Sequence, residues 1–339
     1  REFLQRTGAA ALGGAIVAGL PVMRSAHAAG SETLKVGLIG CGGRGTGAAA
    51  DALQADADVK LVAMADTFAD RLQSSLARLK KQPGVGEKVA VEPDSCFVGF
   101  DAYQQLIDPD VDVVLLTTPP HFRPAHLKAA VAAGKHVFCE KADAVDAPGV
   151  RQVLATCEEA KQKNLSVVSG LCWRYDTAAR ETIQRIMDGA IGHIVAIQPV
   201  YNTGQLWMHP RKPEWSDMEY QIRNWLYFNW LSGDHIVEQH IHSLDKIAWA
   251  LGGYPEEVTS MGGRIRRTEK KYGDIYDHFA NTYEFEDGIT VHTTCRQMSD
   301  CAMRTSDHVI GTKGTADIQR HFLRSHDGDI VWRHRSPRG

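Results

Sequence analysis

A strand, a glycine-rich turn and a helix follow one another directly near the start of the chain. The apolar run at residues 34–39 predicts a buried strand, and helical spacing begins near Gly45. In the turn between them, Gly40, Gly42 and Gly45 have the G-x-G-x-x-G spacing. Glycine allows a tight turn and a close approach of the backbone to a pyrophosphate, which the start of the helix faces with free N–H groups. The chain is therefore expected to fold as a parallel sheet that holds a dinucleotide.

An acidic residue ends the next predicted strand, at the position where a ribose is commonly bound. Residues 59–65 predict that strand, and Asp66 follows it about twenty residues after the turn. A carboxylate there accepts hydrogen bonds from ribose hydroxyls and repels a 2′-phosphate, so the sequence favours NAD. Arg71 and Arg44 keep NADP possible. The predicted contacts of this region with the cofactor are Gly40, Gly42, Gly43, Arg44, Gly45 and Asp66.

Strands and helices alternate up to residue 170, and the pattern then changes. Further strands are predicted at 111–116, 135–139 and 165–169, helices at 68–79, 124–133 and 146–163, and a loop at 81–99. Beyond residue 173 we expect helices at 176–187 and 234–251, a strand at 194–200, an aromatic-rich stretch at 201–232, and strands at 258–262, 279–285, 289–295, 305–310 and 315–318. The fold class is thus α/β, with a doubly wound parallel sheet at 33–170 and an α+β domain with a large, mostly antiparallel open sheet at 171–339.

Residues 1–29 have the order of an export signal. Arg1-Glu-Phe-Leu begins it, a Gly/Ala-rich apolar run too short and weak to span a membrane follows, and Ala26-His-Ala28 is a cleavage pattern. The segment resembles a twin-arginine signal in which only one arginine of the pair is present, so we expect the true start to lie upstream and the protein to reach the periplasm. The last residues form no closing element, so we expect a truncated C-terminus as well.

Charge and cysteine content exclude several classes of function. The net charge of −3 gives no general attraction to nucleic acid or to an anionic membrane. The seven cysteines form no C-x-x-C and are odd in number, which argues against a disulfide framework or a zinc site. We therefore expect a small-molecule partner and no metal.

Two further places carry chemistry-bearing side chains. Lys141 follows a predicted strand at the carboxyl edge of the sheet, where ligands bind, although the residue taken alone is better interpreted as a solvated surface lysine. Glu238 and His242 are four residues apart in the predicted helix at 234–251, and Asp245 is three residues further on. A carboxylate beside an imidazole can make it a general base. Taken alone, the pattern is better interpreted as a polar helix face, and a metal site lacks a clear fourth ligand.

Taken together, these motifs resemble the glucose–fructose oxidoreductase, inositol dehydrogenase and rhizopine catabolism (Gfo/Idh/MocA) family, in particular its exported members. The resemblance covers about residues 34–318 and rests on the turn at Gly40, Thr117-Thr-Pro-Pro-His121, Ala133-Gly-Lys-His-Val137, Glu140-Lys141 and the 238–245 helix. It implies a Rossmann domain, a C-terminal domain that often builds homo-oligomers, and a carbohydrate substrate.

The resemblance also implies roles for individual residues. Lys141 matches the lysine that polarises the substrate hydroxyl, His242 matches the catalytic acid/base, and Glu238 stands where an aspartate is usual. Asp245 completes the catalytic set. Ala142 replaces the proline of the family's Glu-Lys-Pro motif, which is expected to loosen Lys141. Thr118, Pro119, His121, Glu140 and Lys141 match the cofactor loops, and Arg223, Trp225 and Tyr227 are candidate substrate contacts.

Three functions remain open at this stage. The first is hydride transfer from a hydroxyl of a sugar, cyclitol or glycoside to a retained NAD(P). The second is an NAD-dependent glycosidase similar to the N-acetylgalactosaminidases of the family, which work by oxidation, elimination and hydrolysis. The third is a catalytically silent protein that binds a dinucleotide or a sugar. Ala142, in place of the family's proline, is the feature that keeps this function open.

Overall fold

The computed structural model describes residues 33–107 and 110–335. The predicted export signal at 1–29 lies outside the described residues, as do residues 336–339. In the described ranges, every helix falls short of the length and hydropathy that a membrane crossing requires.

The first half of the described chain forms a parallel sheet of six strands. They are β1 (Leu34–Ile39), β2 (Val59–Asp66), β3 (Cys96–Val98), β4 (Val113–Leu116), β5 (His136–Cys139) and β6 (Val167–Ser169). Their order is β3-β2-β1-β4-β5-β6, and all neighbouring pairs are parallel. The direction of winding reverses between β1 and β4, and open sheets of this kind bind ligands at the carboxyl ends of the strands at such a point.

Helices cover both faces of this sheet. They are α1 (Gly43–Ala55), α2 (Ala69–Lys81), α3 (Ala102–Leu106), α4 (Arg123–Ala132) and α5 (Ala147–Gln162). The apolar strands are buried on both sides, as parallel sheets require, with one core cluster around Leu38 and Leu61 and another around Val114 and Leu127. The start of α5 is fixed by Asp146, whose carboxylate accepts a hydrogen bond from the Gly149 N–H at 2.7 Å.

A second sheet of eight strands occupies the rest of the described chain. Its strands are β7 (Ile194–Thr203), β8 (Glu257–Gly263), β9 (His278–Glu284), β10 (Thr290–Gln297), β11 (Arg304–Gly311), β12 (Thr315–Asp317), β13 (Phe322–Arg324) and β14 (Ile330–Arg333). Their order is β14-β13-β12-β11-β7-β10-β9-β8. Only the β7–β10 pair of this sheet is parallel within the described residues.

Five helices belong to this second region of the described chain: α6 (Thr177–Met187), α7 (Asp217–Arg223), α8 (Asn229–Ser232), α9 (Asp234–Glu238) and α10 (Ile241–Leu251). Ile183 of α6 and Ile247 of α10 are buried in one cluster with Ile197 of β7, so these helices pack on one face of the sheet. The predicted fold class, a doubly wound parallel sheet followed by a mostly antiparallel one, is confirmed.

The structure differs from the sequence-based prediction in several short elements. The predicted loop at 81–99 contains β3, and α3, α7, α8, β13 and β14 were not predicted. Most of these elements have only three to five residues, too few for a periodic apolar pattern to emerge.

The predicted helix at 234–251 is wrong as a single helix, because it breaks at residues 239–240. The N–H of His242 donates to the Gln239 carbonyl at 3.2 Å, and the Glu238 carbonyl instead accepts a hydrogen bond from the Lys141 ammonium. A tertiary contact thus takes the place of a helical hydrogen bond, which the local pattern could not reveal.

Candidate functional site

The glycine turn is shaped by contacts that only glycine permits. Gly40 has a φ of +98°, and a Cβ there would lie 2.7 Å from the Thr118 nitrogen of the neighbouring loop. A Cβ on Gly45 would collide with the Gly40 carbonyl oxygen. Gly43 has open space where its Cβ would be, and no side chain of the described residues caps the first N–H groups of α1. The turn therefore leaves backbone donors exposed to an anion at the start of a helix.

Asp66 stands beside the turn and helps to fix it. One carboxylate oxygen accepts a hydrogen bond from the Cys41 N–H at 2.7 Å, and the other from the Phe68 N–H at 2.8 Å. Burial raises the pKa of Asp66, although these two backbone hydrogen bonds and Arg71 oppose that shift. The carboxylate keeps lone pairs for further donors, such as ribose hydroxyls.

The turn and Asp66 open onto a cavity of about 650 Å³. Such a volume is typical of cofactor sites. From the first sheet the lining comes from the glycine turn, the start of α2 and the loop after β4, including Asp66, Phe68, Arg71, Thr118 and Pro119. From the second region it includes Trp207, His209, Lys212, Trp215, Arg223 and Trp225. The glycine cradle, the free helix N-terminus and the acid match the needs of a dinucleotide.

Lys141 is anchored at the carboxyl end of β5. Its ammonium donates to both the carbonyl oxygen and the side-chain carboxylate of Glu238, and the two side chains are only 15% and 12% exposed. This ion pair joins the parallel sheet to α9. The helix break described above is what leaves the Glu238 carbonyl free for it.

His242 lies at the start of α10 in its neutral form. Its pKa is lowered to about 4, first because burial disfavours the imidazolium and then because Lys141 and Lys246 carry positive charge nearby. Its Nδ1 is buried and has no hydrogen-bond partner within the described part of the chain. At neutral pH, therefore, His242 is an imidazole able to accept a proton.

Arg123 ties two loops together beneath the site. It is 3% exposed, and its guanidinium donates to the Thr118 carbonyl at 2.7 Å and to the Ala142 carbonyl. Burial lowers its pKa, and the carboxylates of Asp143 and Glu140 act in the opposite direction. The sequence predicts that Ala142 loosens Lys141. In the structure, however, Glu238 holds the Lys141 ammonium and Arg123 holds the Ala142 carbonyl. The Lys141–Ala142 peptide bond is cis.

The remaining predicted catalytic residue, Asp245, is paired with Arg174. Its carboxylate accepts three hydrogen bonds from Arg174, at 2.8 to 3.0 Å. Lys246, one residue further, is 1% exposed and forms an ion pair with the equally buried Asp307. Sequence reasoning missed this pair, because its partners are separated by some sixty residues of chain and lie on different elements.

The predicted cofactor residues outside the turn take different positions. Thr118 and Pro119 line the cavity. Arg44 forms an ion pair at 2.5 Å with Glu140, so these two predicted cofactor residues contact each other. His121 is exposed and packs edge-on against Trp230, with 5.0 Å between ring centroids.

The three candidate substrate residues do not come together in one place. Arg223 and Trp225 line the same cavity as the glycine turn. Tyr227 is 1% exposed, and its hydroxyl donates to the Leu206 carbonyl at 3.0 Å within a small apolar cluster. Their role in substrate binding stays a prediction. The position of Arg223 in the cavity of the glycine turn favours a role beside the cofactor.

Comparison with known proteins gives two adjoining family matches. Residues 34–169 match the family described as "Oxidoreductase family, NAD-binding Rossmann fold", and residues 179–317 match its C-terminal domain. The chain is 30% identical to an inositol 2-dehydrogenase of Salmonella paratyphi B, over 84% of this chain and 74% of that protein.

Two further similarities differ in extent. A 2,7-anhydro-N-acetylneuraminate hydratase of Mediterraneibacter gnavus is 28% identical over 60% of this chain, and the match spans only half of that protein's length. Among solved structures, the aldose-aldose oxidoreductase of Caulobacter crescentus, complexed with glycerol, superposes with a TM-score of 0.67 at 20% identity. That match covers 91% of this chain and 85% of the solved chain.

Proposed function

Because the chain belongs to the Gfo/Idh/MocA oxidoreductase family, with an NAD-binding domain, we propose that it oxidises a hydroxyl group of a sugar, cyclitol or glycoside and keeps its NAD between turnovers. The observation that carries the proposal is the ion pair between Lys141 and Glu238, with His242 close enough for the positive charge of Lys141 to lower its pKa. These residues come from the carboxyl end of β5, the end of α9 and the start of α10.

Each side chain has a distinct task in this proposal. His242, neutral at physiological pH, takes the proton of the substrate hydroxyl. Lys141 donates a hydrogen bond to the same oxygen, and Glu238 holds the ammonium in place. When bound, NAD supplies the acceptor for the hydride that leaves the substrate carbon, so that the hydroxyl becomes a carbonyl.

The cofactor would be held by the features described above. The N–H groups at the start of α1 would bind the pyrophosphate, and Asp66 would accept hydrogen bonds from the adenosine ribose. A 2′-phosphate would meet the Asp66 carboxylate, which favours NAD over NADP.

The export signal expected at residues 1–29 adds a constraint on the cofactor cycle. In the periplasm, which we propose as the location, no pool of free NAD comparable to that of the cytoplasm is at hand. An enzyme that released NADH after each turnover would therefore stop. Retained cofactor has to return to its starting state within each cycle, by reducing a second sugar or the same one.

A second candidate is an overall reaction without net oxidation, such as hydrolysis of a glycoside by oxidation, elimination, water addition and return of the hydride from the reduced cofactor to the same sugar. It is favoured by the similarity to a protein named as a hydratase, since hydration changes no overall oxidation state. The same side chains would serve, because the first step is again the oxidation of a hydroxyl.

The test begins with the purified full-length protein. Denaturation should release about one dinucleotide per chain, and its absorbance gives the redox state. Sugars, cyclitols and glycosides are then supplied without added NAD. Product under these conditions supports the retained cofactor, whereas activity that needs millimolar NAD and yields stoichiometric free NADH contradicts it. The same assay is then run on His242→Ala, which should lose product because His242 is the proposed base. His326→Ala, at an exposed turn, is its matched control.

A further inference from the structure

The cofactor cavity has one wall that comes from the second region of the chain. Residues 207–225, here called the wall segment, contribute Trp207, His209, Trp215 and Trp225 to the lining. They line the same cavity as Asp66, the proposed contact of the adenosine ribose, and as Asp70 and Arg71 at the start of α2. No motif in the sequence assigns these aromatic residues to a dinucleotide.

Arg223 joins the wall segment to α2. Its guanidinium donates to both carboxylate oxygens of Asp70, at 2.8 and 3.0 Å, and to Glu219 at 2.8 Å. The Arg223 side chain is only 11% exposed. Two parallel hydrogen bonds between a guanidinium and a carboxylate are among the stronger and more directional contacts in proteins. The Asp70–Arg223 pair therefore closes one edge of the cavity.

The same guanidinium is also held by aromatic rings from both sides of the cavity. It lies 4.0 Å from the ring centroid of Phe68 and 4.9 Å from that of Trp215. In addition, Arg71 donates to the Arg223 carbonyl at 3.4 Å. Arg223 is thus positioned by α2 and the loop before it as well as by its own segment. An arginine whose role was to bind substrate would not need these contacts with α2.

Asn224 makes the wall segment internally rigid. It is fully buried, its side-chain oxygen accepts the His209 N–H at 2.8 Å, and its amide donates to the His209 carbonyl at 3.1 Å. His209 is therefore linked through Asn224 to the neighbouring Arg223. If the Asp70–Arg223 pair opens, this whole edge of the cavity can move away from α2.

We propose that the wall segment covers the adenosine half of the bound dinucleotide, and that the Asp70–Arg223 pair sets the rate at which the dinucleotide leaves. The inference rests on the proposed function in taking NAD as the ligand. It adds that cofactor retention is built by the second region of the chain and not by the glycine turn alone.

The experiment measures release of NAD from the loaded protein and does not depend on turnover. Protein carrying radiolabelled NAD is diluted into excess unlabelled NAD, and the label that remains bound is followed with time. Asp70→Asn and Arg223→Lys are compared with the unchanged protein. Asp217→Asn is the control, since it removes an exposed ion pair with Arg211 inside the same segment.

Release should be on the order of tenfold faster in Asp70→Asn, the factor expected when a charge-assisted contact is lost only from the closed state. Arg223→Lys should also release faster, and Asp217→Asn should match the unchanged protein. Equal release rates in all four proteins, with unaltered circular dichroism, overturn the inference. Failure of the proposed function would show differently, as absence of product without added NAD while the release rates still differ.

Discussion

Three histidines are held in the neutral form inside the fold, and mild acid should therefore destabilise the protein. Burial lowers the pKa of His126 and His242 to about 4 and that of His240 to about 3. In the unfolded chain each would titrate near 6.5. The unfolded state thus binds more protons between pH 6.5 and 4, and stability falls as the pH falls through that window.

The size of the loss follows from proton linkage. Between pH 6 and pH 5 each of these histidines removes roughly 1.2 kcal/mol, and the three together remove about 3.5 kcal/mol. Total stabilities of about 5–15 kcal/mol are usual, so this is a large share. Asp66 and Asp143 act in the opposite direction. Burial raises their pKa, so the folded state binds these protons more readily than the unfolded state and is stabilised as the pH falls.

The assay is urea unfolding followed by tryptophan fluorescence at pH 7, 6 and 5 and constant ionic strength. His126 stacks on Tyr103 with 4.1 Å between ring centroids, and His126→Gln should remove about 1.2 kcal/mol of the change between pH 6 and 5. His326→Gln, at an exposed position, should leave the change as it is. A loss below about 1 kcal/mol in the unchanged protein, or an unaltered pH dependence in His126→Gln, would refute the reasoning.

Three further predictions concern the site and its support. His242→Ala and Lys141→Ala should each lower single-turnover rates by about 10²- to 10⁴-fold with the dinucleotide still bound, and near-normal rates in His242→Ala would place the base elsewhere. Asp66→Ala should weaken NAD much more than NADP in equilibrium titrations, and equal weakening would contradict the ribose contact. Lys246→Met should lower the urea-derived free energy of unfolding by about 3–5 kcal/mol, because the buried Asp307 loses its cation. Adding Asp307→Asn should recover part of that loss, and no recovery would argue against the pair.

The parts of the fold that were predictable are those with a local physical cause. The strand, turn and helix from Leu34 to Ala55 follow from a continuous apolar run and from glycines whose Cβ atoms would collide. Asp66, the acid at the end of β2, was predictable for the same reason, since its spacing from the turn is fixed by one strand–helix–strand unit.

The parts that were not predictable depend on pairs distant in the sequence. Arg223 and Asp70 are 153 residues apart, and nothing near either one indicates the other. At the break before His242 the Glu238 carbonyl accepts a hydrogen bond from Lys141, 97 residues earlier. The helical period at 234–251 is intact in the sequence, so the local pattern does not indicate the break.

The position of Arg123 has a consequence for redesign. Its guanidinium spans from the carbonyl of Thr118, in a loop that lines the cavity, to that of Ala142, next to Lys141. An insertion or a bulkier residue in the first loop would shift the hydrogen-bonded guanidinium and, with it, the backbone that carries the lysine. Attempts to retune cofactor preference through the loop after β4 would consequently alter turnover as well, and libraries that vary both loops at once should yield more active variants than those that vary either alone.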